Sequence, residues 1–423
     1  MRDASSSVAL PGARPAPADP SGRADGTAPL REIPPSDPRE SMRRLPQWLQ
    51  HPLTLFTGRA LPEQRALPWW SPTYHLATAS LTLLAGLVVG ATGAATGGWW
   101  LALLLPGWMI TLHGMRNLRM LIFHQCAHRN MYRRPEPDTA IGETLSSLLL
   151  VQNFQRYRRE HVSDHHAVHH MTLRDPTVQA FLLTLDLHPG MSYPQMRRRL
   201  LRRLFSPVFH TQFAVARVRS FAQDSSRREK ILATGIHGGA LIVAASTGHL
   251  ATLALCLYVP LFPLFQVSNT LRLCVKHTFP APGTTIRRGR EYFASLTSAV
   301  FIGEAVPPPG GPVLRRGWRW VRWTLRMAFV HAPVRYLLIT ADTPVHDWHH
   351  RFPAAPDWAH HLYARQADDD AGHPGWPPYT EFWGFPAAMQ QVFGSLSRAD
   401  PDEFDVRRIR DVSKRELFAA FDD

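Results

Sequence analysis

Lysine is almost missing from this 423-residue chain: only Lys230, Lys276 and Lys414 appear among 47 basic residues, and the rest are arginines. Cysteine is equally scarce, with Cys126, Cys256 and Cys274 and no CxxC pair. That excludes a disulfide framework and a thiolate zinc site. The first residues, MRDASSSVALPG, contain no apolar stretch, so no cleaved secretory signal is expected. No HExxH segment occurs, which argues against a zinc protease. The 47 Lys and Arg outweigh 33 Asp and Glu, for a net charge of +14. No helix-turn-helix, zinc-finger or RNP pattern accompanies this surplus, so nucleic acid is not an expected partner.

The most informative absence is local. Residues 66–115 and 231–271, stretches of 50 and 41 residues, contain no Asp, Glu, Lys or Arg. A membrane-spanning helix takes about 20 apolar residues, so each stretch holds two spans and a tight turn. The expected fold is an all-α integral membrane protein with four transmembrane helices in two hairpins. The spans fall at approximately 74–95, 99–115, 231–247 and 250–268, with turns at Thr96-Gly97-Gly98 and Thr247-Gly248-His249. Trp69, Trp70, Trp99 and Trp100 stand where interfacial aromatics belong. Two hairpins leave both termini and the long middle segment on one side. The turns on the far side carry no formal charge, and the positive-inside rule makes the arginine-bearing side cytoplasmic. A bacterial inner membrane is the expected location.

Residues 1–45 are rich in Pro, Ala, Ser and Asp without a hydrophobic period, and are expected to be a disordered tail. Residues 46–395 form the membrane domain with a helical cytoplasmic cap, and 396–423 a charged C-terminal tail. Within the cap, 139–154 reads as an apolar helix too short to cross, and 195–230 as arginine-rich helix along lipid headgroups. Residues 315–339 read as an amphipathic helix in the interface.

Histidine is abundant, at 22 residues, and clusters just beyond the expected spans on the cytoplasmic side. His124 and His128 lie on the natural continuation of the second span, His124 about 12 Å past Arg116 if the helix runs on. Their i, i+4 spacing puts both rings on one face, as a metal clip requires. The next group, EHVSDHHAVHH, reads either as His161-x3-His165-His166 or as His166-x2-His169-His170. The first reading is preferred, with His169 and His170 at the surface or behind the ligands. His277 follows the fourth span alone, and His346-Asp-Trp-His349-His350 again shares a helix face. Together His124, His128, His161, His165, His166, His277, His346, His349 and His350 offer nine nitrogen donors. That is too many for one tetrahedral zinc, fits two metals, and suits iron. The histidines must stay deprotonated to bind, so acid should strip the site.

The ordered set GMRNLRMLIFHQCAH, YRREHVSDHH with Asp175-Pro176, LRLCVKH and TPVHDWHHRFP resembles the membrane fatty acid desaturase and hydroxylase superfamily across about residues 70–395. The resemblance implies a four-span helical fold whose cap holds two non-haem iron ions. It also implies dioxygen as co-substrate, oxidation of an acyl or alkyl chain of a fatty acid or lipid, and a separate electron donor of ferredoxin, rubredoxin or cytochrome type. The chain departs from the pattern in its second box, where three residues rather than two precede the His pair. It also has Leu273 four residues before the lone His277, where desaturases often carry Asn; the nearest Asn is Asn269. Desaturation is the expected reaction, with hydroxylation or ketolation as the near alternative and histidine-rich metal transport as the alternative of another class. Asp342, Asp347, Glu160 and Asp164 are candidates to orient the rings or, equally, to pair with cap arginines. His188-Pro189-Gly190 is only faintly like a haem-binding segment.

Overall fold

The computed structural model describes residues 37–284 and 288–409, except for the side chains at 167 and 168. The architecture is almost wholly helical. The exception is a two-stranded parallel sheet that pairs Ala299–Phe301 with Glu381–Trp383. Three-residue strands carry no readable alternation, which is why the sequence does not announce them.

Two helices are long and apolar enough to cross a membrane, Pro72–Thr96 and Leu250–Lys276, by length and composition. At 1.5 Å per residue each exceeds the roughly 30 Å hydrocarbon core. The first is opened by Ser71, whose hydroxyl accepts from the Tyr74 amide, and by proline at the first position. It closes at Gly97, in the left-handed region at φ 69°. Only 28% of each apolar window is buried; Leu81, Leu84 and Val88 lie open along the first helix. Each of these helices follows or precedes a second one across the expected turns. Residues 98–127 form one continuous helix that begins as a 3-10 segment, and 227–246 form another that ends before the positive-φ Gly248.

The first pair is fastened by glycines. A Cβ on Gly86 would come 2.3 Å from the Thr111 amide nitrogen, one on Gly107 2.7 Å from the Gly90 Cα, and one on Gly114 2.4 Å from the Leu83 amide nitrogen. Small residues at such crossings let backbones touch, which is the main source of attraction between helices in lipid.

The 227–246 helix is tied to the cap by Glu229, which is fully buried. Its carboxylate accepts from the Asn153 side chain at 2.6 Å and from the amides of Phe154 and Ser226 at 2.9 and 2.7 Å. It therefore closes its own capping box with Ser226 and fixes the start of the 154–168 helix. The 139–154 segment is a cap helix at Pro135–Leu149, and the arginine-rich region resolves into Tyr193–Leu204 and Pro207–Asp224, divided by Pro207. Residues 313–338 form a helix whose Leu314, Trp318, Val321 and Phe329 are exposed, as an interfacial face requires.

Both expected tail boundaries shift. Residues 37–45 are ordered helical turns. Arg39 is fully buried and donates to the Gln50 carbonyl and amide oxygens at 2.9 Å, to Thr54 Oγ1 at 3.1 Å and to the Arg59 carbonyl at 3.2 Å. Met42 packs with Leu53, Val306 and Met327. At the other end Phe404 is buried edge-on against Phe279, 5.2 Å between centroids. Residues 1–36 of the expected N-terminal tail and 410–423 of the C-terminal one lie outside the described residues.

Replacing Gly107 with Leu should force the first two long helices apart and cost on the order of 1–3 kcal/mol or more. Gly239→Ala, in open space, should be neutral. Thermal unfolding of the detergent-solubilised variants checks this; equal midpoints would refute the glycine contact.

Candidate metal centre

The helix 98–127 does not stay α-helical to its end. It widens into a π-turn over Leu118–Phe123 and delivers His124 at the start of its last turn. The Arg159–Val168 segment is π-helical throughout. Its i→i+5 bonding brings residues five apart into line. Hence His161 pairs with His166, Nε2 to Nε2 at 3.0 Å, while His165 faces the other way. His277 is the first residue beyond the Leu250–Lys276 helix, where the backbone turns extended and bridges to Thr297. The His346–Arg351 helix supplies the remaining three rings.

These pieces place the nine expected histidines in two adjoining nests. His124, His128, His161, His166 and His349 hold five ring nitrogens within 4.8 Å of one another. In the second nest, His165 Nε2 lies 3.2 Å and His346 Nε2 3.3 Å from His277 Nε2, and His350 Nε2 lies 3.0 Å from His346 Nε2. His166 and His350 stack across the boundary with centroids 4.2 Å apart.

The nitrogen contacts fit a metal. In the first nest His349 Nε2 lies 2.8 Å from His124 Nε2 and 3.2 Å from His166 Nε2, which in turn lies 3.0 Å from His161 Nε2. An imidazole nitrogen carries either a proton or a lone pair. Linked contacts around one point cannot all be good N–H···N bonds, whereas several lone pairs converging on a cation at about 2.0–2.1 Å give such separations. The donors are all nitrogen, a set suited to iron or zinc rather than to calcium or magnesium.

Burial holds the rings neutral. It pushes His124, His166, His346, His349 and His350 well below the ordinary imidazole range. The next contributors are His349 for His124, His161 for His166, Lys276 for His346, His128 for His349 and His166 for His350. Lys276, nearly buried itself, acts on three of them.

The carboxylate found on a ligand ring is Asp175, which the sequence reading kept only as part of a motif. Its Oδ2 accepts from His165 Nδ1 at 2.9 Å and from the Met171 amide at 3.1 Å, while Oδ1 caps the Pro176–Leu185 helix at the Thr177 amide. The aspartate–proline pair at a helix start was the available signal. Two of the four expected carboxylates serve the cap. Asp347 is clasped by Arg365, Nη2 to Oδ2 at 3.0 Å, and Glu160 by Arg156 at 2.6 Å. Asp342 is buried and raised to about 6, with Arg272 and Lys276 pulling it back down. Asp164 is half-buried. Tyr157 stacks on His161, with an interplanar angle of 13° and centroids 5.0 Å apart.

Of the two expected places for His170, at the surface or behind the ligands, the structure shows the second: it is fully buried, with its ring 4.6–5.0 Å from those of His165, His277 and His350. His169 is half-buried and borders a surface pocket with Arg174 and Arg288.

Residues 98–383 match the family described as fatty acid desaturase. No curated protein matches the chain.

Below about pH 6.5 the unfolded chain takes up protons that these buried rings refuse, so the metal-free protein should lose stability as pH falls from 7 towards 5. The stability is intact above the unfolded value and drains away on the acid side of it. Thermal midpoints of chelator-treated protein at pH 7, 6 and 5 should descend in that order, and a flat series would contradict buried neutral histidines.

Proposed function

Because the chain belongs to the fatty acid desaturase family, we propose that it is a membrane di-iron oxidoreductase that uses dioxygen to desaturate an acyl chain of a fatty acid or lipid. The observation that carries this reading is the pair of all-histidine nests side by side. His124, His128, His161, His166 and His349 hold one iron; His165, His277, His346 and His350 hold the other. When bound, the iron pair supplies oxygen activation and the oxidising power to break a C–H bond.

The chain's own residues supply the setting. Asp175 accepts the His165 Nδ1 proton, which fixes the tautomer and turns the Nε2 lone pair towards the nest. Phe181, Leu273, Phe279 and Val392 wall an apolar slot of ≈ 20 Å³ that ends on His277. A methylene presented there sits against a ligand ring with water excluded. The slot is far smaller than the long tunnel a resting acyl chain would need, so these side chains part when substrate enters.

Four spans in two hairpins, cap and termini cytoplasmic, remain the proposed topology. The open apolar sides of Pro72–Thr96 and Leu250–Lys276 support it, and the exposed face of 313–338 lies in the interface. The electron donor is a separate ferredoxin, rubredoxin or cytochrome. Arg197, Arg198 and Arg202 stand exposed on the cap and offer an acidic donor a complementary surface.

Expression of the wild type in a lipid-producing host should yield a product lacking two hydrogens, and His349→Ala should abolish the product and lower bound iron. Gain of one oxygen atom would replace desaturation by hydroxylation. Metal uptake into proteoliposomes without oxygen consumption would favour transport. Unchanged lipids with equal iron in both proteins would defeat the oxygenase reading.

A further inference from the structure

The two nests are unequal as assigned: five nitrogens surround the first position and four the second. A tenth histidine stands beside the smaller set. His170 is fully buried, no side chain among the described residues hydrogen-bonds to its ring, and the neighbouring His165 backbone carbonyl can engage only one of its two ring nitrogens. Leaving a buried polar group unpartnered costs roughly 1–3 kcal/mol, so the position calls for something to engage it. Phe293 stacks on one side at 5.8 Å, and the Tyr292 hydroxyl donates to the His170 carbonyl at 3.3 Å. These contacts fix the backbone and cover one ring face without using the nitrogens.

The ring's surroundings repeat those of the first nest. There, neighbouring rings such as His124 and His161, or His128 and His349, lie 4.5 and 4.8 Å apart, and His124 and His166 lie 6.4 Å apart. His170 lies 4.9 Å from His165, 5.0 Å from His277 and 4.6 Å from His350. A ring nitrogen of His170 lies within 4.8 Å of a ring nitrogen of His165 and a carboxylate oxygen of Asp175. Asp175 is already committed to the His165 ring and two amides, so it is not the group that satisfies His170.

We infer that His170 is the fifth nitrogen donor to the second metal position and makes the two nests equal in number. This rests on the two-metal reading above. The His170 ring swings a short way about its side-chain torsions when metal binds, and a nitrogen lone pair enters the space that His165, His277 and His350 already face.

Two variants separate ligation from packing. His170→Phe keeps an aromatic ring against Phe293 and His350 but has no lone pair; His170→Ala removes both. His169→Ala, at the half-buried neighbour, is the control. Metal per chain and retention against a graded chelator are measured on the purified full-length proteins. Wild type and His169→Ala should hold two metals. His170→Phe and His170→Ala should retain the second at least a hundredfold less tightly, at or beyond the upper end of the roughly 10–100-fold loss from removing a group that only orients a ligand. Zinc-loaded wild type, mapped by anomalous scattering, should show a His170 nitrogen at about 2.0–2.1 Å from one ion; this readout is independent of how the variants fold. Two metals bound with wild-type strength in His170→Phe, or a His170 ring outside bonding distance in the map, overturns the inference while leaving the two-metal reading standing. Wild type that binds no metal at all overturns both.

Discussion

The packing around the histidines answers one electrostatic problem: keeping many imidazoles close together and buried. Nε2 atoms 2.8–3.3 Å apart repel if both carry lone pairs and collide if both carry protons. Without a cation between them the arrangement is costly, and the fold must supply the energy to hold it. It does so through rigid partners behind the rings. Asp175 fixes His165 and opens a helix with its second oxygen. Arg365 clasps Asp347 through three hydrogen bonds and reaches Glu381 on the short strand with a fourth. The parallel sheet therefore anchors the helix that bears His346, His349 and His350.

The departures from α-helix follow from the same demand. An α-helix aligns residues three and four apart, so it would line His161 up with His165 rather than with His166. The π-helical turn over Arg159–Val168 instead pairs His161 with His166 by lining up residues five apart. The loss of regular hydrogen bonding there is a local cost, of the kind often found at functional positions. His277 solves the matching problem on the opposite side by leaving its helix altogether and turning extended.

How much of this was legible depends on whether the cause is local. Of the four expected spans, two coincide with helices long and apolar enough to cross a bilayer, Pro72–Thr96 and Leu250–Lys276, and these were legible because a charge-free stretch is itself the signal. The His124/His128 clip was readable since both fall on one α-helical face. The pairing of His161 with His166 was not, because spacing rules assume 3.6 residues per turn. His170 looked like one more polar residue in a polar run; only tertiary packing against Phe293 and His350 buries it. Residues 37–45 read as tail because residues 1–45 as a whole are rich in Pro, Ala, Ser and Asp and show no hydrophobic period. Arg39 is held there by Gln50, Thr54 and the Arg59 carbonyl, partners with no periodic trace in the sequence.

The position of the nests relative to the apolar helices bears on how a chain substrate is met. His124 lies eight residues past Arg116 on a continuous helix, whereas His277 directly follows Lys276. Arg116, Arg119, Arg272 and Lys276 are all nearly or fully buried, so the usual boundary of exposed charge is folded inward and the protein interior continues from the apolar helices to the metal-binding rings. A groove of ≈ 460 Å³ lined by residues including Leu76, Leu83, Leu87, Ile141 and Leu148 runs between Pro72–Thr96 and Pro135–Leu149. Against the histidines lies a tight slot lined by His277, Phe181 and Phe279. On the proposed reading, an acyl chain gains apolar contact at the groove but reaches the oxidising centre only by displacing Phe181 and Phe279. Access and exclusion of water are then the same event: the site opens to a chain that can replace the contacts it disrupts and stays closed to solvent that cannot.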